Sequence, residues 1–231
     1  MDTSLLMKFV EGYAGAYQGR SNLAGFNVRL VFETATIWVV PMVNPDGVDI
    51  VQHKVTPAHP YYKQLMQWNG GSRDFTRWKA NIRGVDLNRQ YMANWIIAWQ
   101  SGPQEPASEG YAGPFPESEP ESRAIAELIR SRPFRLIIAY HAQGQVIYWN
   151  YLNLSPPEAR TIAGKFQRLS GYTPKISEYT CHGGLKDWFI LDFRKPGFTI
   201  EIGKGTTPLP SSQFPVILRN NLGILMYAST V

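Results

Sequence analysis

Basic and amide side chains cluster in the segment Asn81–Tyr91, NIRGVDLNRQY, where two arginines and an asparagine lie at short spacing. The rigid guanidinium fork of arginine suits planar oxyanions, so Arg83 and Arg89 with Asn88 could hold a carboxylate or polarise a carbonyl oxygen. The alternative is a solvated basic turn, because exposed charges are common on protein surfaces. Three further segments bear on that choice.

These segments are apolar runs that carry polar residues at or near their ends. Val39–Val48, VVPMVNPDGV, is typical of a buried strand closed by a tight turn. Arg135–Tyr148 contains an apolar run that ends on His141, then a glycine-containing turn and a second strand, and Gly197–Gly203 carries Glu201 among apolar neighbours. Because open α/β sheets build their sites at strand ends, these polar residues are candidates for one site.

Length and composition predict one α/β domain over residues 1–231, since the chain is 44% hydrophobic and long enough to bury a substantial core. Its net charge of +5 comes without a concentrated basic run, which argues against nucleic-acid binding. The single cysteine, Cys181, excludes a disulfide within the chain. Apolar runs are too short to cross a membrane, and the first residues lack a signal-peptide pattern.

The spacing of apolar residues also predicts the main helices. They are expected over Met1–Tyr17, from residue 119 to about Arg130, over Pro157–Ser170 and over Phe214–Ala228. Ser118 and Glu121 are expected to form a capping box at the start of the second of these helices. Val28–Val43 is expected to give one or two strands, and Gln52–Lys79 a long irregular segment.

Four motifs in a fixed order then identify a resemblance. NPDG, RGVDLNR, the strand-end His141 and FTIE together resemble the zinc carboxypeptidase family, the carboxypeptidase A-like metallopeptidases, over nearly the whole chain. The resemblance implies an α/β fold with three α/β/α layers and a mixed central sheet. Several motifs in one order are far more specific than any of them alone.

The resemblance also implies roles for individual residues. His141 is similar to the third zinc ligand of the family, and Glu201 to the glutamate that takes a proton from zinc-bound water and delivers it to the leaving amine. Asn88 and Arg89 match the pair that grips the terminal carboxylate, and Arg83 matches the arginine that polarises the scissile carbonyl. The structural alternatives are a hydrogen-bonded core histidine at 141 and a buried glutamate paired to an arginine at 201.

A narrower resemblance concerns the substrate. The stretches RWKANIRGVDLNRQY, SEPES, YHAQGQVIYW and FTIEIGKG are similar to the bacterial γ-D-glutamyl-L-diamino-acid peptidases, which cut peptidoglycan stem peptides. Tyr179, which precedes a Gly-Gly loop and a predicted helix, resembles the tyrosine that closes over bound substrate. Lys186 could then attract the extra carboxylate of diaminopimelate, although a solvated loop lysine is the alternative.

The sequence departs from the family at the zinc ligands. Two of the three protein ligands of the family come from an HxxE motif, and none occurs here, since neither His53, His59 nor His182 has a glutamate three residues on. His53 and His59 are expected to be ordinary loop histidines. The resemblance implies that the first strands, the first helix and two zinc ligands of the family domain lie outside these 231 residues. Strand edges left uncovered would favour strand-mediated self-association.

Two classes of function remain open from the sequence. The first is a zinc-dependent metallocarboxypeptidase-type hydrolase that cleaves peptide or γ-D-glutamyl amide bonds to a carboxylate-bearing residue, in peptidoglycan stem peptides. The second is an inactive chain that only binds carboxylate-terminated peptides. A relative of amidohydrolases that act on acylated amino acids is disfavoured by the complete RGVDLNR motif. The expected partners are peptides, not nucleic acid or membrane, in a bacterial protein of the cytoplasm, cell wall or spore.

Overall fold

The structure is a computed structural model, which describes residues 1–176 and 182–231. In chain order its elements are α1 (Asp2–Gln18), β1 (Asn22–Leu23), β2 (Phe26–Asn27), α2 (Val28–Thr34), α3 (Pro45–Val51), α4 (Tyr62–Trp68), a 3₁₀ helix (Leu87–Arg89), α5 (Trp95–Ser101), α6 (Pro120–Arg130), β3 (Ile137–Ala142), β4 (Val146–Asn150), α7 (Pro157–Ser170), β5 (Thr173–Ile176), α8 (Leu185–Phe193), β6 (Gly197–Ile202), a 3₁₀ helix (Ser211–Gln213) and α9 (Phe214–Ala228).

The chain divides into two compact units. The sheet unit comprises Met1–Pro41, Arg135–Ser177 and Phe193–Val231, and the loop unit comprises Met42–Phe134 and Glu178–Asp192. Most of the predicted strands belong to the sheet unit, whereas the RGVDLNR motif and the Gly-Gly loop belong to the loop unit.

A four-stranded mixed sheet organises the sheet unit, with strand order β3-β6-β4-β5. The last strand in the sequence, β6, lies between β3 and β4, parallel to the first and antiparallel to the second. Parallel neighbours bring their carboxyl ends to the same edge of a sheet. The ends of β3 and β6 therefore lie side by side, as the strand-end motifs require.

Helix α7 shows why the sequence specifies this unit well. Its buried residues recur at helical spacing, at Ala159, Ile162, Ala163 and Phe166, so one apolar face packs into the main core with β4. The helix ends where Gly171 adopts a left-handed conformation with φ of 77°, which glycine takes without steric cost. The predicted bounds of α7 and α9 are confirmed, and α1 begins and ends within one residue of its prediction.

The prediction of strands over Val28–Val43 is wrong. Residues 28–34 form α2 because the Asn27 side chain caps its start, accepting from the Leu30 N–H at 3.2 Å. Val28 and Val31 then lie on one buried face against α1. Residues 35–43 form no strand, although the partly buried Ile37 and Val39 pack on this core.

The loop unit corrects two more predictions. NPDG does not form a tight turn after a strand: Asn44 caps α3, accepting from the Gly47 N–H at 2.9 Å, and Pro45 occupies the first turn, where its missing N–H costs nothing. The segment Gln52–Lys79 is not wholly irregular, because it contains α4. Apolar residues of α3 and α4 pack into one core with Phe75 and Trp78.

Helix α6 has nearly the predicted extent but not the predicted cap. Glu119 is the residue before the helix and makes no side-chain capping bond, so the prediction of a capping box is wrong. The Ser118 hydroxyl instead lies 3.1 Å from both Gln90 Oε1 and Glu119 Oε1 and donates its single hydrogen to one of them at a time. A long-range hydrogen bond to a buried glutamine thus replaces the local cap.

Within the described residues, no helix has both the length and the apolar character that crossing a lipid bilayer requires.

Candidate functional site

The sheet unit brings together the predicted ligand and the predicted base. His141 on β3 is the register partner of Glu201 on β6, one residue before the end of the parallel pairing. Residues in register on neighbouring strands project to the same face, so an imidazole and a carboxylate stand side by side. Both residues are half-buried. The arrangement places a carboxylate and an imidazole next to each other at the carboxyl ends of these strands.

The turn after β3 lies directly against Glu201. A Cβ atom added at Gly144 would lie 3.7 Å from Glu201 Cβ, an ordinary van der Waals contact. The φ of Gly144 is +146°, so the backbone conformation, rather than a lack of space, favours glycine there. The Gly144 N–H donates to the Gly203 carbonyl at 3.1 Å, which ties the turn to the end of β6.

A second carboxylate lies near His141. Asp2 at the start of α1 is partly buried, and Oδ1 of its side chain is buried without a hydrogen-bond partner among the described residues. Burial raises the pKa of Asp2, while the positive charges of the amino terminus and of His141 act in the opposite direction. Asp2 was not predicted as a site residue, because a single acid at a helix start carries no sequence signal beyond capping.

The described residues do not make up a zinc site. A structural or catalytic zinc ion needs three or four protein ligands of the His, Cys, Asp or Glu type. No group of three or more such residues with suitable geometry occurs in the described parts of the chain. His141 and its acidic neighbours therefore fall short of the ligand set that the resemblance implies.

In the loop unit, Asp86 shapes the segment that carries the predicted carboxylate-binding pair. Its Oδ1 accepts from the Asn88 N–H and its Oδ2 from the Gly110 N–H, both at 3.1 Å. Burial raises the pKa of Asp86, and these two backbone bonds oppose that shift. The capped 3₁₀ turn fixes the backbone from which Asn88 and Arg89 project.

Asn88 and Arg89 both contact the Gly-Gly loop. Asn88 Oδ1 accepts from the Leu185 N–H at 3.3 Å, and Arg89 Nη1 donates to the His182 carbonyl at 3.2 Å. Within the described residues the other guanidinium nitrogens of Arg89 make no hydrogen bond, so donors remain for an oxyanion. The structure thus brings these two predicted residues together at the start of α8.

Gly183 makes this close approach feasible. Its φ is 78°, and an added Cβ would lie 2.8 Å from the Arg89 carbonyl oxygen. Both the conformation and the contact require glycine. Backbone hydrogen bonds from Tyr91 N–H to the Gly183 carbonyl and from Gly183 N–H to the Ala93 carbonyl join the two segments.

Lys186 is not the solvated loop residue that was the alternative interpretation of the sequence. It is a buried residue of α8, 4% exposed, and its ammonium forms an ion pair with the carboxylate of buried Asp187. The interpretation as a solvated loop lysine is therefore wrong. Burial raises the pKa of Asp187, and the charge of Lys186 is the largest of the opposing effects. The helix carries the ammonium to a fixed position instead of leaving it mobile in solvent.

Arg83 has different contact partners from Asn88 and Arg89. No described hydrogen bond or ion pair joins it to Asn88 or Arg89; its Nε lies 3.7 Å from Glu119 Oε2. Asn81 fixes the turn around Arg83, accepting at Oδ1 from the N–H groups of Arg83 and Val85 at 3.0 and 3.1 Å. Tyr179, the remaining predicted site residue, lies outside the described residues.

Sequence reasoning assigned no role to several residues that support the site. Asp86 and Gln90 lie inside the quoted motif, and Asp187 directly follows Lys186, but their function is to hold other groups in place. An Asp two residues before Asn88 at the start of a turn is a local signal that could have been used. The burial of Gln90 and Asp187 has no such local signal.

Comparison with known proteins identifies the family. The family described as zinc carboxypeptidase matches residues 3–223. The chain is 43% identical over 224 residues to gamma-D-glutamyl-L-diamino acid endopeptidase 1 of Lysinibacillus sphaericus, a match that covers 97% of this chain and 56% of that protein. It is 37% identical over 227 residues to the uncharacterized protein YqgT of Bacillus subtilis, covering 98% and 60%. The chain thus spans 56% and 60% of the lengths of these two relatives.

Solved structures agree in fold. Thrombin activatable fibrinolysis inhibitor matches with a TM-score of 0.73 at 22% identity, over 99% of this chain and 57% of that one. Murein-tripeptide amidase MpaA from Escherichia coli O157 matches with a TM-score of 0.51 at 23% identity, over 81% and 66%. These likenesses confirm the predicted α/β fold with a mixed sheet. With a family match over nearly its whole length and a 43% identical relative covering 97% of it, the chain belongs to the zinc carboxypeptidase family.

Proposed function

We propose that this chain serves the hydrolysis of an amide bond to a carboxylate-bearing residue, in the stem peptides of peptidoglycan. The observation that carries the proposal is the pairing of His141 with Glu201 at the ends of parallel strands. A carboxylate held on a strand end is a suitable general base. The name of the 43% identical relative, a gamma-D-glutamyl-L-diamino acid endopeptidase, supports the substrate class.

In the proposed reaction Glu201 accepts a proton from the attacking water. The hydroxyl adds to the carbonyl carbon, the carbon–nitrogen bond then breaks, and Glu201 returns the proton to the leaving amine. Arg83 would polarise the carbonyl oxygen through its guanidinium. This assignment gives each of the two charged groups a different task, proton transfer for the carboxylate and charge stabilisation for the guanidinium.

Recognition of the leaving residue would fall to the loop unit. Arg89 and Asn88 offer a guanidinium and an amide for its terminal carboxylate, and Tyr179 would close over it. Lys186 would attract a second carboxylate, as in diaminopimelate. Because Lys186 is buried and already paired with Asp187, a second carboxylate would reach its ammonium only by displacing the Asp187 carboxylate.

A second candidate is binding of carboxylate-terminated peptides without turnover by the 231-residue chain. The absence of a three-ligand metal group among the described residues favours it. In that case the Asn88 and Arg89 segment would act alone. We expect the dialysed chain to retain substoichiometric zinc, measured by elemental analysis, with His141→Ala as the comparison.

The deciding experiment offers the chain a γ-D-glutamyl-diaminopimelate peptide with zinc in the buffer, and measures binding and release of diaminopimelate separately. Glu201→Gln removes the base while keeping the size of the side chain, and Arg89→Gln removes the carboxylate partner. Loss of turnover by about a hundredfold or more in Glu201→Gln, with binding retained, supports the hydrolase.

The remaining outcomes separate the two candidates. Binding that depends on Arg89 but no turnover in any form supports recognition without hydrolysis. Binding that is unchanged by Arg89→Gln, or turnover that survives Glu201→Gln, contradicts the assignment of those residues. If the chain shows no binding and no turnover, both candidate functions are contradicted for this chain.

A further inference from the structure

The loop unit contains a cavity around Arg83 that the recognition of a terminal carboxylate by Asn88 and Arg89 does not explain. Its volume is about 310 Å³, and it is lined in part by Tyr61, Trp68, Arg83, Tyr111 and Glu119. That volume is at the lower end of the range of about 300–1,000 Å³ typical of ligand pockets. Three aromatic rings and one ion pair line the same space, which is a common composition of small-molecule sites.

The ion pair in this cavity is asymmetric. Glu119 is fully buried, whereas 59% of the Arg83 side chain is exposed. Glu119 already accepts hydrogen bonds from Asn81 Nδ2 at 2.8 Å and from the Ser118 hydroxyl at 3.1 Å. In contrast, the Arg83 guanidinium makes no hydrogen bond within the described residues, because its approach to Glu119 is 3.7 Å.

The difference in exposure between Glu119 and Arg83 indicates which charge a ligand of this cavity should carry. The carboxylate is buried and satisfied, so it is a poor anchor for an added cation. The guanidinium is exposed and lies with its Nε towards Glu119, which leaves its two terminal nitrogens for a planar anion. A carboxylate fits that fork with two parallel hydrogen bonds, so the cavity favours an anionic ligand.

Next to Arg83, Gly84 allows the residues that line the cavity to pack closely against the backbone. Gly84 has a φ of 71°, and an added Cβ would lie 2.8 Å from Pro106 Cβ and 3.0 Å from Trp68 Cε3. Glycine therefore lets the indole of Trp68 and the ring of Pro106 pack against the chain next to the guanidinium. Such a wall suits an aromatic or apolar body more than a hydrated one.

A hydroxyl donor supplements the guanidinium. Burial raises the pKa of the Tyr111 hydroxyl, and the negative charges of Glu119 and Glu105 add to the effect. The hydroxyl therefore stays protonated at neutral pH and can donate to an acceptor on a ligand.

We propose that this cavity binds a small organic carboxylate with an aromatic or apolar body, the carboxylate on the Arg83 guanidinium and the body between Trp68, Tyr61 and Tyr111. The site is a separate one from the Asn88 and Arg89 segment. It does not depend on hydrolysis by Glu201, because binding at the cavity requires only residues of the loop unit.

The test compares phenylacetate with phenylacetamide, two probes of the same body and different charge, by NMR titration of the amide-labelled 231-residue chain. We expect phenylacetate to bind at least about tenfold more tightly, since the amide loses the charge-assisted pair. Arg83→Gln should remove this preference, and Arg83→Lys should retain part of it. Tyr61→Ala, at an exposed position, should weaken both probes alike.

Two matched controls locate the site. Arg73→Gln removes the same charge from an exposed arginine of the loop unit and should leave phenylacetate binding unchanged. Arg89→Gln should also leave it unchanged, because Arg89 does not line the cavity. Thermal melts of each variant establish that it is folded, and Arg83→Lys keeps the test informative if Arg83→Gln is not.

Equal binding of the acid and the amide, or no binding of phenylacetate at millimolar concentration, would overturn the proposal. Loss of binding in Arg89→Gln but not in Arg83→Gln would show that the probe occupies the candidate substrate site instead. Turnover of a γ-D-glutamyl peptide is tested separately with Glu201→Gln, a residue outside the cavity, so a failure of phenylacetate binding does not contradict the proposed hydrolysis.

Discussion

The two units hold their candidate residues by different means. In the sheet unit, His141 and Glu201 stand in register because β3 and β6 exchange backbone hydrogen bonds, which do not depend on the identity of the side chains. In the loop unit, Asn88 and Arg89 are held by side-chain to backbone bonds from Asp86, by the Gly183 approach and by the buried Gln90. One set of positions is fixed by the sheet, and the other by individual polar contacts.

This difference has a consequence for substitutions. A residue on a strand can be substituted without loss of the local backbone structure, since the backbone hydrogen bonds between the strands remain. A loop held by hydrogen bonds between buried polar groups is destabilised when one partner is removed, because the remaining donors and acceptors stay buried away from water. Stability should therefore respond more strongly to polar substitutions in the loop unit.

The largest effect is expected for Gln90→Ala. Gln90 is fully buried; its Oε1 accepts from the Glu119 N–H at 3.0 Å and from the hydroxyls of Ser118 and Ser122 at 3.1 Å. Losing this acceptor leaves the buried Glu119 N–H without a partner, while the two serine hydroxyls keep only Glu119 Oε1 and the Glu119 carbonyl. With the cavity that the truncation leaves, the free energy of unfolding should fall by about 3 kcal/mol. Denaturant unfolding measures it.

Two controls sharpen this prediction. Gln67→Ala makes the same change at an exposed position of α4 and should alter stability by less than about 0.5 kcal/mol. Glu201→Gln should cost little stability, because the strand ladder holds its position. If Gln90→Ala is no more destabilising than Glu201→Gln, the contrast between the two units is not real.

A smaller effect, of opposite sign in the two units, is expected for glycine substitutions. Gly183→Ala should destabilise the chain by about 2 kcal/mol, because its positive φ and the 2.8 Å approach to the Arg89 carbonyl both oppose a side chain. Gly164→Ala should stabilise it by about 0.5–1 kcal/mol, since Gly164 lies inside α7 with open space around it.

Thermal and denaturant unfolding of both glycine variants provide the measurement. Peptide binding should weaken in Gly183→Ala alone, because the displaced loop carries the contacts of Asn88 and Arg89. A neutral Gly183→Ala variant with unchanged binding would contradict the view that this loop is held by close approach.

The smallest effect concerns pH and Asp187. Burial raises its pKa above the ordinary value of 3.8, so the folded state keeps the proton to higher pH than the unfolded state. Between those two pKa values the folded state binds more protons, and its stability therefore falls as pH rises, by at most about 1.4 kcal/mol per pH unit. Asp187→Asn should remove that part of the slope.

Denaturant unfolding of the unmodified chain and of Asp187→Asn, from acidic to neutral pH, measures the two slopes. The slopes are compared instead of the absolute stabilities, because the substitution also removes the carboxylate that pairs with Lys186. Asp192→Asn, at an exposed position of α8, should keep the slope of the unmodified chain. An identical slope in Asp187→Asn would show that the carboxylate titrates in the folded state as it does in the unfolded one.

Elements with a local signal were predictable from the sequence. The apolar spacing of α7, its closing Gly171 and the apolar runs of β3 and β6 all lie within the elements they define, so periodicity alone located them. The motifs also pointed to Asn88 and Arg89 as one candidate carboxylate-binding pair, and the turn that carries them is formed by residues a few positions apart.

Only the tertiary structure decided the features that depend on distant partners. Val28–Thr34 has the composition of a strand, but Asn27 caps it and α1 covers its buried face, so it is a helix. Lys186 carries the charge of a surface residue, yet α8 buries it against Asp187. Burial and long-range hydrogen bonding come from packing, which local sequence signals do not encode, and that is why the sequence left them open.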